Sequence, residues 1–447
     1  MQAFKAFWRS IYVSYRFLWA LGGLAMVFLV AYFFPWLLTW AYLALTVFVL
    51  LSLLDFFLLF SKKGIEASRN LPNKLSNGDD NSIFVDVDNL YGFEVKGKII
   101  DEVPIQFQKR DFDIRTKIAA KGSNFLKYTL RPIRRGEYAF GALNFFAQSP
   151  LGLIERRFIF DKGAEIPVYP SFLQMRKYEL LAISNRLKEY GLKKIRRIGQ
   201  SQEFEQIREY VQGDDIRHIN WKATARKQDL MVNQFTDERS QKVYCIIDKG
   251  RLMKSPFEEM TLLDYSINSS LVMSNIVLKH HNKAGLVTFA NDVDTYLPAV
   301  SQRGQLLKIM NLLYAQKTDF LESSFEHLFV FMKRRITRRS LVILYTNFQT
   351  ISSLRRNLKF LRTVAKKHLL AVVVFKNTEL DDLINTKPGS VQEIYTKTIG
   401  QKFEFESRQI VKELQANGIH TIYTAPNNLS VNTLNKYLEL RARGLFN

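Results

Sequence analysis

From Phe17 to Phe34 the chain runs without a charge. At about 1.5 Å per residue such a run makes a helix of roughly 27 Å, close to the hydrocarbon thickness of a bilayer. Pro35 cannot continue that helix without losing a hydrogen bond, and Trp36 to Phe60 then supplies a second apolar run interrupted only by Asp55. The pattern predicts a transmembrane helical hairpin in residues 1–63, with spans at about 17–34 and 36–60. Over 64–169 the period changes to two: Ile83 to Val87, Phe93 to Ile99 and Phe125 to Leu130 are short alternating runs separated by polar or glycine-containing turns. These predict antiparallel strands and a β-sandwich. Residues 170–241 read as a helical segment. Gly213 breaks it, Asp214 or Asp215 can cap the helix beyond the break, and Ile216, Ile219 and Trp221 alternate with Arg217, Lys222 and Arg226. In 242–447 short apolar strands (Val243 to Ile247, Ala284 to Phe289, Leu341 to Tyr345, Leu369 to Phe375, His420 to Tyr423) alternate with amphipathic helical stretches. That alternation predicts a mostly parallel, helix-covered sheet.

The flanks orient the hairpin. Lys5, Arg9 and Arg16 precede the first span, Lys62 and Lys63 follow the second, and the tip around Phe33 to Trp36 is uncharged. Both termini are therefore expected in the cytoplasm, on a multi-pass membrane protein. A cleaved signal peptide fits poorly, because a second full-length apolar run follows directly. Asp55 sits near the inner end of its helix. Its simplest reading is a side chain snorkelling toward Lys62 or Lys63, and the alternative is an intramembrane pairing site.

Charge and composition narrow the function classes. The 447 residues carry 64 Lys and Arg against 42 Asp and Glu, a formal charge of +22. For a tethered body the nearest polyanion is inner-membrane lipid, and Lys193 to Arg197, Lys333 to Arg335, Arg338-Arg339, Arg355-Arg356 and Lys366-Lys367 are the candidate contributors. Nucleic acid is not the expected partner, since no reading module is recognisable. Cys245 is the only cysteine, which excludes an intramolecular disulfide and a thiolate cluster. No glycine-rich phosphate loop, dinucleotide fingerprint, His-Glu-x-x-His helix or nucleophile elbow occurs, and the six histidines are scattered, with His280-His281 on a helix surface. The expectation is a protein that is not an enzyme and takes no cofactor.

The stretch 206–239, followed by the strand that closes on Asp248, resembles the signature block of the bacterial domain of unknown function 58 family. The matching residues are Tyr210, Gly213, Asp214, Asp215, Arg217, Trp221, Lys222, Ala225, Arg226 and Asp248. Asp101 to Pro104 and the run from Arg131-Pro132 through Arg135-Gly136 to Pro150-Leu151-Gly152 fit the same family, with Ser149 where the family commonly has Asp. Both runs also read simply as turns. The resemblance implies a Rossmann-like α/β domain of von Willebrand factor A type over 242–447. It also implies a partnership with a MoxR-type AAA+ ATPase, hence an adaptor or scaffold that helps assemble or mature protein complexes, other membrane proteins among its clients.

In such a sheet Asp248, Asn291, Asp292, Thr346 and Asn347 would gather beyond the strand ends. The von Willebrand metal turn resembles Asp-x-Ser-x-Ser, but the chain has Asp248-Lys249-Gly250-Arg251-Leu252, without either hydroxyl, and Asn347 where an Asp is expected. The reading is no functional metal, a degenerate site at Asp248, and a partner-facing edge made of Asp248, Lys249, Arg251, Thr346 and Asn347. Two alternatives stay open at this point: a metal-dependent von Willebrand A-type binding protein, and a binder of anionic lipid or nucleic acid.

Overall fold

The structure is a computed structural model that describes residues 4, 7–109, 112–161, 163–183, 203–211, 214, 216–236, 240–318, 320–386 and 388–445. It forms two compact units, Met1–Tyr169 and Pro170–Asn447.

The first unit opens with a short strand, β1 (Ile11–Val13), and two helices, α1 (Tyr15–Phe33) and α2 (Leu37–Phe60). Both helices are long and apolar enough to cross a membrane. Ser14 caps α1, its hydroxyl accepting from the amides of Arg16 and Phe17. Most side chains of the pair are exposed; Ala31, Ala41, Asp55 and Leu59 are the buried ones. The next strands are β2 (Ile65–Asn70), β3 (Leu75–Ser76), β4 (Asn81–Asn89), β5 (Val95–Asp101), β6 (Ile114–Ile118), β7 (Ser123–Leu130), β8 (Gly136–Phe140), β9 (Leu143–Gln148), β10 (Ile154–Phe160) and β11 (Ala164–Tyr169). They lie in sheets of order β1-β10-β9-β5-β6, β2-β4-β7 and β3-β11-β8. All the pairings are antiparallel except β3 with β11. Strict alternation in β4 turns Ile83, Val85 and Val87 inward to a core with Val95, Ile99, Leu143 and Phe145.

The family-like turns of this unit have structural work. Asp101 is buried and pairs with Arg69 and the Tyr128 hydroxyl. Burial raises its carboxyl above the ordinary value even against those two partners. Glu102 accepts from the Ala142 amide at 3.0 Å and from Asn144 at 2.9 Å. Tyr138 donates to the Arg134 carbonyl at 2.9 Å, across a turn in which Gly136 holds φ at 134°.

Asp55 does not reach toward Lys62 or Lys63. It is fully buried and accepts from the Ser149 hydroxyl and from the amides of Leu153 and Ile154, both at 2.8 Å. The reason is geometric: the 149–154 turn brings unpaired amides to the inner end of α2, and a carboxylate satisfies them better than water could. Arg156 closes the same joint by donating to the carbonyls of Leu59 and Lys62, and Tyr91 donates to Leu59 as well.

The second unit begins with α3 (Phe172–Ile183). Within the segment 170–241 expected to be helical, an antiparallel ribbon follows that helix, β12 (Glu203–Glu209) with β13 (Met231–Thr236). The ribbon carries a 3-10 turn at Ile216–His218 and the seven-residue helix α4 (Trp221–Lys227) at its tip. The expected Lys193 to Arg197 run lies outside the described residues. Next come β14 (Lys242–Asp248), the small ribbon β15 (Pro256–Phe257) and β16 (Met260–Thr261), α5 (Leu262–Lys279), β17 (Lys283–Phe289) and β18 (Val293–Val300). They are followed by α6 (Gln305–Tyr314), α7 (Phe325–Arg335), β19 (Leu341–Tyr345), α8 (Ile351–Lys367), β20 (Leu369–Phe375), α9 (Thr378–Asn385), α10 (Val391–Ala416), β21 (His420–Thr424) and α11 (Leu429–Ala442). The main sheet has the order β18-β17-β14-β19-β20-β21, parallel throughout except for β18. Five strands match the apolar runs of the sequence; the antiparallel edge strand is an addition. The central strands are buried on both faces, which explains their unbroken apolar sequences.

Candidate functional site

The order of the main sheet reverses beside β14: the chain leaves it toward β17 and returns to its other side at β19. Open α/β sheets collect ligands at such a point, beyond the carboxyl ends of the strands. Asp248 ends β14 there and is 3% exposed. One carboxylate oxygen accepts from the Gly250 amide at 2.8 Å and from the Ser323 hydroxyl, and the other accepts from the Thr346 hydroxyl at 2.6 Å. Burial pushes the carboxyl above its usual range, and these three donors pull it back in part.

Ser323 is the residue that sequence reasoning missed. A Cβ at position 250 would run into its Oγ, so the hydroxyl absent from Gly250 is supplied from a different loop. Its one sequence-level trace is the Ser323-Ser324 pair ahead of α7, where Ser324 caps the helix by accepting from His327.

Of the expected partner edge, Asp248, Lys249 and Thr346 are buried. Lys249 is the clearest correction: its ammonium lies 2.5 Å from Asp294, and its amide donates to Phe289 at 2.7 Å. A lysine next to a buried strand end is drawn under the edge by that carboxylate instead of facing a partner. Arg251 is exposed, with only a 3.7 Å approach to Glu322, and Asn347 is half-buried. Both line a cleft of about 320 Å³ together with Asp248, Ser323, Arg356 and Asn357. On the far side of Asp248, His327 meets the Asn291 carbonyl and Asp292, each at 2.8 Å.

The donor set does not suit a hard divalent cation, which needs several oxygen ligands and compensating negative charge. The lone pairs of Asp248 are engaged by two hydroxyls and an amide. Among the described residues no three His, Cys, Asp or Glu converge.

The signature block forms the tip of the β12–β13 ribbon. Gly213 and Asp215 lie outside the described residues, and Arg217 falls in the 3-10 turn. Asp214 accepts from Arg208 at 2.6 Å and from the Val211 amide at 2.9 Å. The Arg208 hydrogen bond holds its carboxyl below the ordinary value. Asn220 caps α4 by accepting from Ala223 and also donates to Asn233 at 2.8 Å, while Thr224 accepts from the Met231 amide at 3.0 Å. These bonds fold the tip back on its own strands. They leave Trp221, Lys222, Ala225 and Arg226 exposed, Trp221 by 68%.

A family model described as "Protein of unknown function DUF58" matches residues 206–397, from the ribbon into α10. The Uncharacterized protein YeaD of Bacillus subtilis (strain 168) is 28% identical over 273 residues, 59% of this chain and 64% of its own length, so the chain spans less than two thirds of that relative. Among solved structures, the conserved hypothetical protein BatB from Bacteroides thetaiotaomicron is similar at 11% identity, covering 46% of this chain and 100% of its own, with a TM-score of 0.29. The PapD-like domain 7 of human CEP192 is similar at 12% identity over 24% of this chain and 87% of its own, with a TM-score of 0.19. Over residues 206–397, which hold the ribbon tip and the Asp248 strand end, the chain is similar to the DUF58 family of proteins of unknown function.

Proposed function

We propose that this protein is a membrane-anchored adaptor or scaffold that works with a MoxR-type AAA+ ATPase in the assembly or maturation of protein complexes. In this reading α1 and α2 cross the bacterial inner membrane with both termini cytoplasmic, the strands of the first unit form a β-sandwich, and residues 242–447 are a von Willebrand factor A-like domain. The observation that carries the proposal is Trp221, held 68% exposed on a hydrogen-bonded ribbon tip beside Lys222 and Arg226. A large aromatic kept in water, on a short helix that also carries an exposed arginine, is the composition of an interface hot spot. The exposed Arg251 at the Asp248 strand end supports the same division of labour: the chain binds partners, and the ATPase supplies nucleotide chemistry. Arg251 and Asn347, not Lys249, are the contacts at that edge.

The test is a mild crosslinking pull-down of the full-length protein from native membranes, with and without ATP, beside a Trp221→Ala, Arg226→Ala variant. Capture of an AAA+ ATPase by the wild type, and its loss from a variant with an unchanged unfolding midpoint, is the expected result. A wild type that captures no such ATPase in either nucleotide state overturns the proposal.

A further inference from the structure

Residues 7–16 are built into the first unit. The Phe7 ring packs edge-on against Phe60 at 5.4 Å and Phe56 at 6.3 Å. The Ser10 carbonyl accepts from the Arg157 amide at 2.8 Å, and β1 pairs with β10 over Ile11 to Val13. Tyr12 packs on Phe146 at 5.2 Å. Ser14 ties α1 to the 149–154 turn, its hydroxyl donating to the Gly152 carbonyl at 2.6 Å and its amide to Leu153 at 3.1 Å. A segment stitched in this way has its exposed side chains in fixed positions. Trp8 is 63% and Tyr15 82% exposed, and Arg9, Arg16, Lys62 and Lys63 are exposed around them.

These groups share one end of the hairpin, where α1 starts and α2 finishes. Asp55, the sole carboxylate between Tyr15 and Phe60, is buried and taken up by the 149–154 turn, so it does not offset the exposed cations. Arg16 also lies against that turn, its guanidinium 3.3 Å from where a Cβ on Gly152 would be. Amphipathic aromatic rings belong at the boundary between headgroups and acyl chains, and fixed cations at that level attract lipid phosphate.

We infer that residues 7–16 together with Lys62 and Lys63 form a collar seated in the headgroup layer of an anionic phospholipid leaflet. Trp8 and Tyr15 lie at the acyl boundary, and Arg9, Arg16, Lys62 and Lys63 lie on lipid phosphates. The collar rests on the reading of α1 and α2 as spans, and it adds to that reading a lipid class and the residues that select it. The β-rich body is joined to the hairpin through Asp55, Arg156 and Tyr91, so the collar also sets how that body stands on the leaflet.

The test uses full-length protein in lipid nanodiscs and compares wild type with Trp8→Phe and with Trp40→Phe, where Trp40 lies within α2. The difference in fluorescence isolates each ring. Trp8 emission should be quenched by lipids brominated high on the acyl chain more than by lipids brominated deep, and weakly by aqueous iodide. Quenching of Trp40 but not Trp8 by lipid overturns the collar and leaves the spans standing. Quenching of neither overturns the spans themselves. Retention of phosphatidylglycerol over phosphatidylcholine through detergent exchange reads the charge. The preference should fall on the order of tenfold in Arg9→Gln, Lys62→Gln, Lys63→Gln, which spares the residues packed on the turn. Equal retention of the two lipids by the wild type overturns the anionic selectivity.

Discussion

Ser323 places a hydroxyl where Gly250 has none, and the two positions are complementary in space although they lie on separate loops. Removing the hydroxyl alone leaves one oxygen of the buried Asp248 with only the Gly250 amide, and Ser323→Ala should cost about 1–3 kcal/mol. Gly250→Ala alone drives a methyl into that hydroxyl and should cost a similar amount, about 1–3 kcal/mol, by overpacking. Made together, the first substitution deletes the atom with which the second collides. The double variant should therefore be less destabilised than the sum of the singles, by roughly 1 kcal/mol. Urea unfolding of the four proteins in detergent checks this, and strict additivity would mean that the two sites do not share the space. Trp221 gives the contrasting case at this scale. Its side chain is exposed, so Trp221→Ala should change the unfolding free energy by no more than about 0.5 kcal/mol while still weakening capture of a partner. A large loss of stability would assign the ring to packing instead.

Elements were legible in the sequence wherever one physical signal dominated. Uncharged runs located Tyr15–Phe33 and Leu37–Phe60, and strands buried on both faces located the five parallel members of the main sheet, since continuous burial leaves continuous apolar sequence. The misses have equally physical causes. The strand Val293–Val300 contains Asp294 and Pro298, which an edge strand tolerates and a periodicity reading rejects. The ribbon Glu203–Glu209 with Met231–Thr236 is joined only across its tip, and the capping residues in that tip made the whole segment read as helix. At the site, Asp248 and Thr346 could be placed at strand ends, but Ser323 could not, because its bond to Asp248 spans 75 residues with no motif between them. His368, between α8 and β20, supports a prediction about how those elements respond to acid. Burial, with Lys367 beside it, pushes its imidazole down from 6.5 to about 4, and its Nδ1 has no hydrogen-bond partner among the described residues. The unfolded chain therefore takes up a proton at His368 between pH 6.5 and 4 that the folded protein refuses. The stability is whole above 6.5 and is lost as pH falls through that window. Unfolding midpoints of His368→Leu should fall less steeply than wild type between pH 6.5 and 4. Part of the slope will remain, since burial also lowers His420. Parallel profiles for the two proteins would show that His368 titrates normally.

The first unit behaves as one body because a carboxylate in an apolar helix is more useful to the protein than to the bilayer. A charged side chain at the end of a span is ordinarily tolerated by snorkelling, yet Asp55 is spent on the 149–154 turn, whose Pro150-Leu151-Gly152 run and Ser149 hydroxyl fit around it. On the proposed reading of α1 and α2 as spans, an anchor on a slack linker would let the β-rich body tumble beside the membrane; a buried three-donor joint does not. Asp55→Leu separates the two properties. The helix becomes more apolar, so α2 should still insert, whereas the amides of Leu153 and Ile154 lose their acceptor in a buried place. Leaving such donors unpaired costs about 1–3 kcal/mol each, and their hydrogen exchange should accelerate on the order of a hundredfold. Strands β4 and β7, joined to each other by ladder hydrogen bonds, should keep their protection. Hydrogen-exchange mass spectrometry on the full-length protein in nanodiscs resolves these peptides. If the 149–154 peptide stays as protected as in the wild type, the joint is held by Arg156 and Tyr91 alone and Asp55 is dispensable to it. If β4 and β7 lose protection as well, the carboxylate supports the fold of the whole unit, and the anchor and the β-rich body fold as a single cooperative element.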